Sequence, residues 1–80
     1  MRLDKYLKVS RIIKRRTVAN EAADAGRVTV NGKVARASYE VKAGDVIEIR
    51  FGEKLTRYEV LSVQDNVGNA DAAELYRVLP

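Results

Sequence analysis

Residues 2–32 read RLDKYLKVSRIIKRRTVANEAADAGRVTVNG, and this stretch decides the fold. Its first part is basic, with Lys or Arg at positions 2, 5, 8 and 11 and apolar residues in most of the gaps. The centre is Lys14-Arg15-Arg16-Thr17, and behind it small apolar residues recur at helical spacing until Gly26. The stretch therefore predicts a basic segment that leads directly into the N-terminus of a helix with small side chains.

A short first helix is predicted because Leu3, Tyr6 and Leu7 fall on one stripe at helical spacing. This position makes Tyr6 a core residue rather than one that stacks on a base. Asp4 falls in the first turn, where a carboxylate suits the helix dipole, and it could also pair with Lys8 four residues on. We expect this structural role for Asp4 and no catalytic one.

The second helix is predicted over residues 16–25, with Gly26 as a left-handed C-cap. Its narrow apolar face consists of Val18, Ala19, Ala22 and Ala23. Small side chains on this face permit close approach to the first helix or to a sheet. The polar residues of the opposite face are expected to point to solvent, and they are Asn20, Glu21 and Asp24.

From residue 27 the apolar period changes to two, which predicts strands. Asn31-Gly32 predicts a tight hairpin, because both central positions of such a turn need a positive φ. In a strand over residues 46–51, the side chains predicted to point inward are Ile47, Ile49 and Phe51. Two more strands are predicted over residues 56–63 and 75–79, with a loop over 65–69 and a helical turn over 70–74 capped by Asn69. Helices followed by antiparallel strands predict an α+β fold, in one domain over residues 1–80.

The composition excludes several functional classes. The chain has 80 residues with no Cys and no His, which excludes disulfides, thiolate metal sites and the commonest general base. No apolar run is long enough for a transmembrane span or a signal-peptide core, so we expect a cytoplasmic location and no membrane partner. No known nucleophile or metal-ligand spacing is present, so we expect no catalysis, no metal and no cofactor.

Charge is distributed unevenly along the chain. The net charge is +4, yet residues 1–42 carry eleven Lys and Arg against four acids, whereas residues 43–80 carry four against seven. This division is typical of a protein with a polyanion-binding face, and it favours nucleic acid as the ligand.

The basic segment before the second helix predicts a phosphate site. Backbone N–H groups at a helix N-terminus are unpaired and form the positive end of the dipole, and arginine matches phosphate oxygens with a planar fork. Arg16 is the best placed because it stands at the start of the second helix, and Arg2 could flank the same groove. Arg27 could instead pair with Asp24. The candidate RNA-binding residues are Arg2, Lys5, Lys8, Arg11, Lys14, Arg15, Arg16, Arg27 and Lys33.

Four spaced segments resemble the S-four RNA-binding domain, which is also called the alpha-L motif. They are residues 2–7 (RLDKYL), 14–16 (KRR), 26–33 (GRVTVNGK) and 42–47 (KAGDVI). The resemblance places a core motif over residues 1–50 and a sheet extension over 51–80. Among stand-alone members, the chain is similar to the fifteen-kilodalton heat-shock protein family, and more closely to the RqcP-type family of ribosome-associated quality-control factors.

The resemblance implies two N-terminal helices packed on a small antiparallel sheet, and RNA binding by the two-helix face with Arg2 and Arg16 in contact. It implies a stalled large ribosomal subunit as partner, with its rRNA and its peptidyl-tRNA, and a larger quality-control protein factor as a further candidate. We expect a monomer. In two places the chain departs from the family pattern: Arg15 replaces the usual Ser or Thr cap, with Thr17 a candidate substitute, and Ala43 replaces a turn proline.

The function predicted from these features is non-catalytic RNA binding in the rescue or quality control of stalled large subunits. One alternative is a general rRNA-binding assembly factor or RNA chaperone. Another is a DNA-binding helix-turn-helix protein, which the polar face of the second helix disfavours, because acidic side chains are poor partners for phosphates.

Overall fold

The helices of the chain are α1, Leu3–Val9, and α2, Arg16–Asp24, in a computed structural model that describes residues 1–64 and 72–80. The strands are β1, Val28–Val30; β2, Lys33–Val34; β3, Val46–Phe51; β4, Lys54–Val60; and β5, Tyr76–Leu79, with a 3-10 helix, η1, at Ala72–Leu75. All pairings are antiparallel, and the sheet order is β2-β1-β3-β4-β5. The predicted α+β fold, with two helices before a small antiparallel sheet, is confirmed.

The ends of the helices follow local sequence signals. Ser10 ends α1, and its hydroxyl donates a hydrogen bond to the Leu7 carbonyl at 3.3 Å. After α2, Gly26 adopts a φ of 81°, the left-handed conformation predicted for it. At the start of α2, Arg15 is the extended N-cap residue, and its side chain makes no capping hydrogen bond. The helix thus begins with uncapped N–H groups beside two arginines.

The core lies between the helices and the sheet. Leu3, Tyr6 and Leu7 of α1 are fully buried, as the helical stripe predicted. The Tyr6 hydroxyl donates a hydrogen bond to the Leu75 carbonyl at 2.6 Å, which connects α1 to the end of η1, just before β5. The remaining core is formed chiefly by the alanines of α2 and the inward residues of the strands, Ala19, Ala22, Ala23, Val28, Val30, Ile47, Ile49 and Val60.

Two residues predicted to point inward are substantially exposed. Phe51 follows the inward alternation of β3 but is 47% exposed, because it lies at the end of the strand, paired with Lys54 beside the next turn. Val18 in α2 is 42% exposed, so the apolar face of this helix is narrower than predicted and consists of its three alanines. Phe51 and Val18 line the same shallow groove.

The remaining differences concern element boundaries. β4 begins at Lys54, earlier than predicted, because Gly52 adopts a φ of 61° and allows a two-residue turn. It also ends earlier, at Val60. The helical turn predicted over residues 70–74 is present as the 3-10 helix Ala72–Leu75, and residues 70 and 71 lie outside the described residues. The predicted loop over 65–69 and the Asn69 cap lie outside the described residues.

Candidate nucleic-acid interface

A basic groove lies where the two helices begin. It has a volume of about 570 Å³, and its lining residues are Met1, Arg2, Lys5, Arg16, Glu40 and Val63. Three of the nine predicted RNA-binding residues, Arg2, Lys5 and Arg16, are therefore brought to one concave surface. Arg2 and Arg16 are fourteen positions apart in the sequence, and the packing of α1 against α2 brings them together.

The backbone of Arg2 is fixed by strand-like pairing. Arg2 has an extended backbone, with φ −65° and ψ 146°, and it forms an isolated β-bridge with Glu40. On either side, the Val41 amide donates to the Met1 carbonyl at 2.9 Å and the Leu3 amide donates to the Tyr39 carbonyl at 2.8 Å. The segment around Glu40 thus holds the residue that precedes α1.

Asp4 is the central polar group beneath the groove. Its side chain is only 3% exposed, whereas the side chains of Arg2 and Arg16 are 50% and 47% exposed. Arg2 donates from Nε to Oδ1 and from Nη2 to Oδ2, both at 3.2 Å, and Arg16 donates from Nη2 to Oδ1 at 3.4 Å. The Lys5 amide donates to Oδ1 at 2.8 Å and Asn20 Nδ2 donates to Oδ2 at 3.1 Å. One buried carboxylate therefore joins both helix starts.

These contacts correct three predictions from the sequence. The first-turn position of Asp4 is confirmed, but the side chains that hold it are Arg2, Arg16 and Asn20 rather than Lys8. Asn20 does not point freely to solvent, since it is partly buried and bound to Asp4. Asp24 is exposed as predicted, yet its carboxylate accepts a hydrogen bond from the Ala37 amide at 3.0 Å and not from Arg27.

The pKa values of the carboxyl groups at the groove indicate that both are ionised near neutral pH. Burial raises the pKa of Asp4, but the hydrogen bonds from Asn20, Arg2, the Lys5 amide and Arg16 together outweigh burial and lower it. The pKa of Glu40 is lowered chiefly by a hydrogen bond from the N-terminal ammonium group and by the charge of that group. The groove therefore presents three basic side chains, while the Asp4 carboxylate is paired with the two arginines and the Glu40 carboxylate with the N-terminal ammonium group.

The geometry leaves part of each guanidinium available to a ligand. Arg2 uses one hydrogen of Nε and one of Nη2 for Asp4, which leaves the Nη1 group and the second Nη2 hydrogen for a ligand. Arg16 uses one Nη2 donor and stands in the first turn of α2, whose N–H groups favour an anion. Planar forks of this kind bind phosphate oxygens in pairs. Chemically, the site can bind phosphate groups of a polyanion.

The other predicted RNA-binding residues lie outside the groove. Arg11 adopts a φ of 63° in the turn after α1. Arg27 lines a separate groove with Val18 and Phe51. The remaining candidates are exposed on α1, on the connector and on β2, and they are Lys8, Lys14, Arg15 and Lys33.

Within residues 1–64 and 72–80, no group of three or more His, Cys, Asp or Glu side chains could hold a metal ion. No helix in this described part is long and apolar enough to cross a membrane.

Sequence reasoning missed Asp4 and Asn20 as parts of the site. A signal was available, because Arg16 and Asn20 lie one helical turn apart and Asp4 is the only acid among the first sixteen residues. To infer the contact from this pattern, one must know how α1 and α2 lie relative to each other. The spacing of the residues in the sequence does not give that arrangement.

Comparison with known proteins agrees with this fold. Residues 1–47, more than half of the chain, match the S4 domain family. The chain belongs to this family. The matched range contains both helices and all the residues that contact Asp4, and it agrees with the S-four resemblance read from the sequence.

Relatives extend the similarity over almost the whole chain. The "RQC P-site tRNA stabilizing factor" of Streptococcus pneumoniae is 57% identical, over 99% of this chain and 90% of the relative. The protein of the same name from Bacillus subtilis is 52% identical, over 99% of this chain and 92% of the relative. Among solved structures, the trimeric Vibrio cholerae Heat Shock Protein 15 superposes with a TM-score of 0.89 at 32% identity, covering 99% of this chain and 81% of that one.

Proposed function

We propose that this protein binds RNA through the basic groove and acts in ribosome-associated quality control, where it holds a tRNA on the large ribosomal subunit. One observation carries the proposal: two half-exposed arginines, Arg2 and Arg16, share a buried carboxylate at the start of two helices. Relatives that cover nearly the whole chain are named for stabilising a P-site tRNA in this process.

The mechanism is positional rather than catalytic. Arg2 and Arg16 contact phosphates from two directions, and Lys5 adds charge to the groove between them. Four of the six remaining basic candidates extend this surface along α1 and the connector, where they contact the RNA backbone: Lys8, Arg11, Lys14 and Arg15. Binding at such a surface lowers the free energy of one arrangement of rRNA and tRNA and forms no covalent bond.

The groove favours recognition of shape over sequence. Side chains cannot read bases in the deep, narrow major groove of an RNA duplex, so a small basic domain recognises phosphates and their spacing. Two RNAs that lie side by side can each present phosphates to one wall of the protein groove. We therefore propose that rRNA of the large subunit and peptidyl-tRNA are bound together, by a monomer, in the cytoplasm. A larger quality-control protein is a further proposed partner.

The test is sedimentation of labelled protein with purified large subunits, prepared with and without peptidyl-tRNA, at one salt concentration. The proposal predicts tighter binding when peptidyl-tRNA is present, because removing the tRNA deletes part of the bound surface. Equal binding to both preparations, and to naked rRNA, would contradict it and favour a general assembly factor.

A further inference from the structure

We propose that Asp4 is a positioning residue for RNA binding, which orders the Arg2 and Arg16 side chains before the RNA arrives. This inference rests on the proposed function, because it concerns the same groove. Asp4 itself is 3% exposed beneath the arginines, so it contributes through them and makes no contact with a phosphate.

The contacts of Arg2 define its orientation. Two parallel hydrogen bonds from one edge of the guanidinium to both oxygens of Asp4 fix the plane of the group as well as its position. Asp4 thus engages Nε and Nη2 of a guanidinium that lines the groove. An arginine held by a single donor would rotate, and this one is held by two.

The carboxylate is itself held in place from the protein side. The Lys5 amide and Asn20 Nδ2 donate to its two oxygens at 2.8 and 3.1 Å, and its side chain is buried. Arg16 joins the same Oδ1 atom that Arg2 Nε contacts, so the two guanidinium groups are placed side by side. The order of the groove is therefore built into the packing of α1 on α2.

If Asp4 orders the two arginines before RNA binds, removing its charge should change RNA affinity in the opposite direction from the one that its charge alone predicts. A carboxylate near a phosphate site should weaken binding by repulsion, so simple electrostatics predicts that its removal tightens binding. If Asp4 orders the arginines, its removal weakens binding, because each long side chain must then lose its rotamer freedom when RNA binds. The two accounts predict opposite signs for one substitution.

The experiment measures the affinity of Asp4→Asn for large subunits carrying peptidyl-tRNA, below the melting temperature of every variant. Asn has the shape of Asp, and the change raises the net charge by one. We expect about tenfold weaker binding, because two arginine side chains that are ordered in the natural protein would then have to be ordered when RNA binds. Binding as tight as that of the natural protein, or tighter, would overturn the proposal.

The matched control is Glu21→Gln on α2, which makes the same charge change at an exposed carboxylate and should leave binding unchanged or slightly tighter.

Two further measurements separate positioning from a general loss of structure. In a double-mutant cycle, Asp4→Asn should add little to the loss caused by Arg2→Ala with Arg16→Ala, because Asp4 acts through those side chains. Fully additive losses would overturn the proposal. In NMR relaxation, the Arg2 Nε–Hε group should be ordered in the natural protein and mobile in Asp4→Asn, and equal order in both would also overturn it.

Asn20→Ala provides a variant that keeps every charge. It removes only the Asn20 donor from Asp4, so we expect a smaller loss of affinity in the same direction, and no loss would count against the proposal. The outcomes also separate this inference from the proposed function. If the natural protein does not bind the subunits, both fail; if it binds and Asp4→Asn binds equally well, only the role of Asp4 fails.

Discussion

Arg16 Nη2 lies 3.4 Å from Asp4 Oδ1, a contact that joins the first turn of α2 to the first turn of α1. The residues are twelve positions apart, and between them the chain turns through Ser10 and the left-handed Arg11. The contact places a cationic side chain of α2 beside Arg2, which precedes α1. The RNA-binding account depends on this relationship, because neither arginine alone forms a groove.

Binding should depend strongly on salt. If RNA binding neutralises about four to six phosphates, log affinity should fall with log salt concentration at a slope of roughly −3 to −5. The measurement is a titration of labelled tRNA or large subunits at several salt concentrations between about 50 and 200 mM. A flat response over that range would contradict an electrostatic groove.

Stability should decline in acid because of Asp4. Its pKa in the folded protein is held below its ordinary value of 3.8, so its contribution to stability is present above that value and is lost as the pH falls below it. We expect a steady melting temperature from about pH 8 to 5 and a decline below about pH 4. Asp4→Asn should decline less steeply. Parallel curves for the two proteins below pH 4 would contradict this assignment.

Tyr6 should stabilise the fold without contributing to RNA binding. Tyr6→Phe removes the hydroxyl that donates to the Leu75 carbonyl at 2.6 Å, but that carbonyl keeps the Leu61 amide at 2.9 Å, so we expect a cost of about 0.5–1.5 kcal/mol. In a domain of this size, each kcal/mol lowers the melting temperature by roughly 4–8 °C. Tyr39→Phe is the matched control, because Tyr39 is 39% exposed and should tolerate the change. Equal melting temperatures for the two variants would show that the buried hydrogen bond contributes little.

The sequence was sufficient for those elements that depend on local signals. Gly26 and Asn31-Gly32 have the positive φ angles predicted for them, and the stripe on α1 identified its core residues. These features depend on backbone conformation and periodicity within a few residues, which a sequence states directly. Arg2 and Arg16 were also placed on one groove, although the reason given concerned helix ends alone.

Features that depend on packing between elements could not be read from the sequence. Asp4 was expected to pair with Lys8 and Asn20 to point to solvent, because the sequence of one helix does not show which side chains of the other helix lie beside it. Phe51 follows the same alternation as the buried Ile47 and Ile49, but it lies at the end of β3 and is largely exposed. The alternation of apolar residues does not show how far along a strand other elements pack against it. In each case the missing quantity was the relative position of two elements.

The most direct test of the RNA-binding groove compares Arg16→Ala with Arg77→Ala in affinity for large subunits carrying peptidyl-tRNA. Both arginines are partly exposed and ion-paired, Arg16 with Asp4 and Arg77 with Glu59, and both substitutions remove one positive charge. Melting temperatures should fall only slightly, because the exposed Arg77–Glu59 pair contributes about 0–1 kcal/mol and the buried Asp4 keeps its hydrogen bonds from Arg2 and Asn20 when Arg16 is replaced.

Arg16→Ala should lose about 1.5–3 kcal/mol of binding, roughly ten- to a hundredfold in affinity, because a charge-assisted hydrogen bond to phosphate disappears. Arg77→Ala should bind nearly as well as the natural protein, because Arg77 lies on β5, in the acidic half of the chain. Equal losses of affinity in the two variants would contradict the account, since net charge alone would then explain the binding.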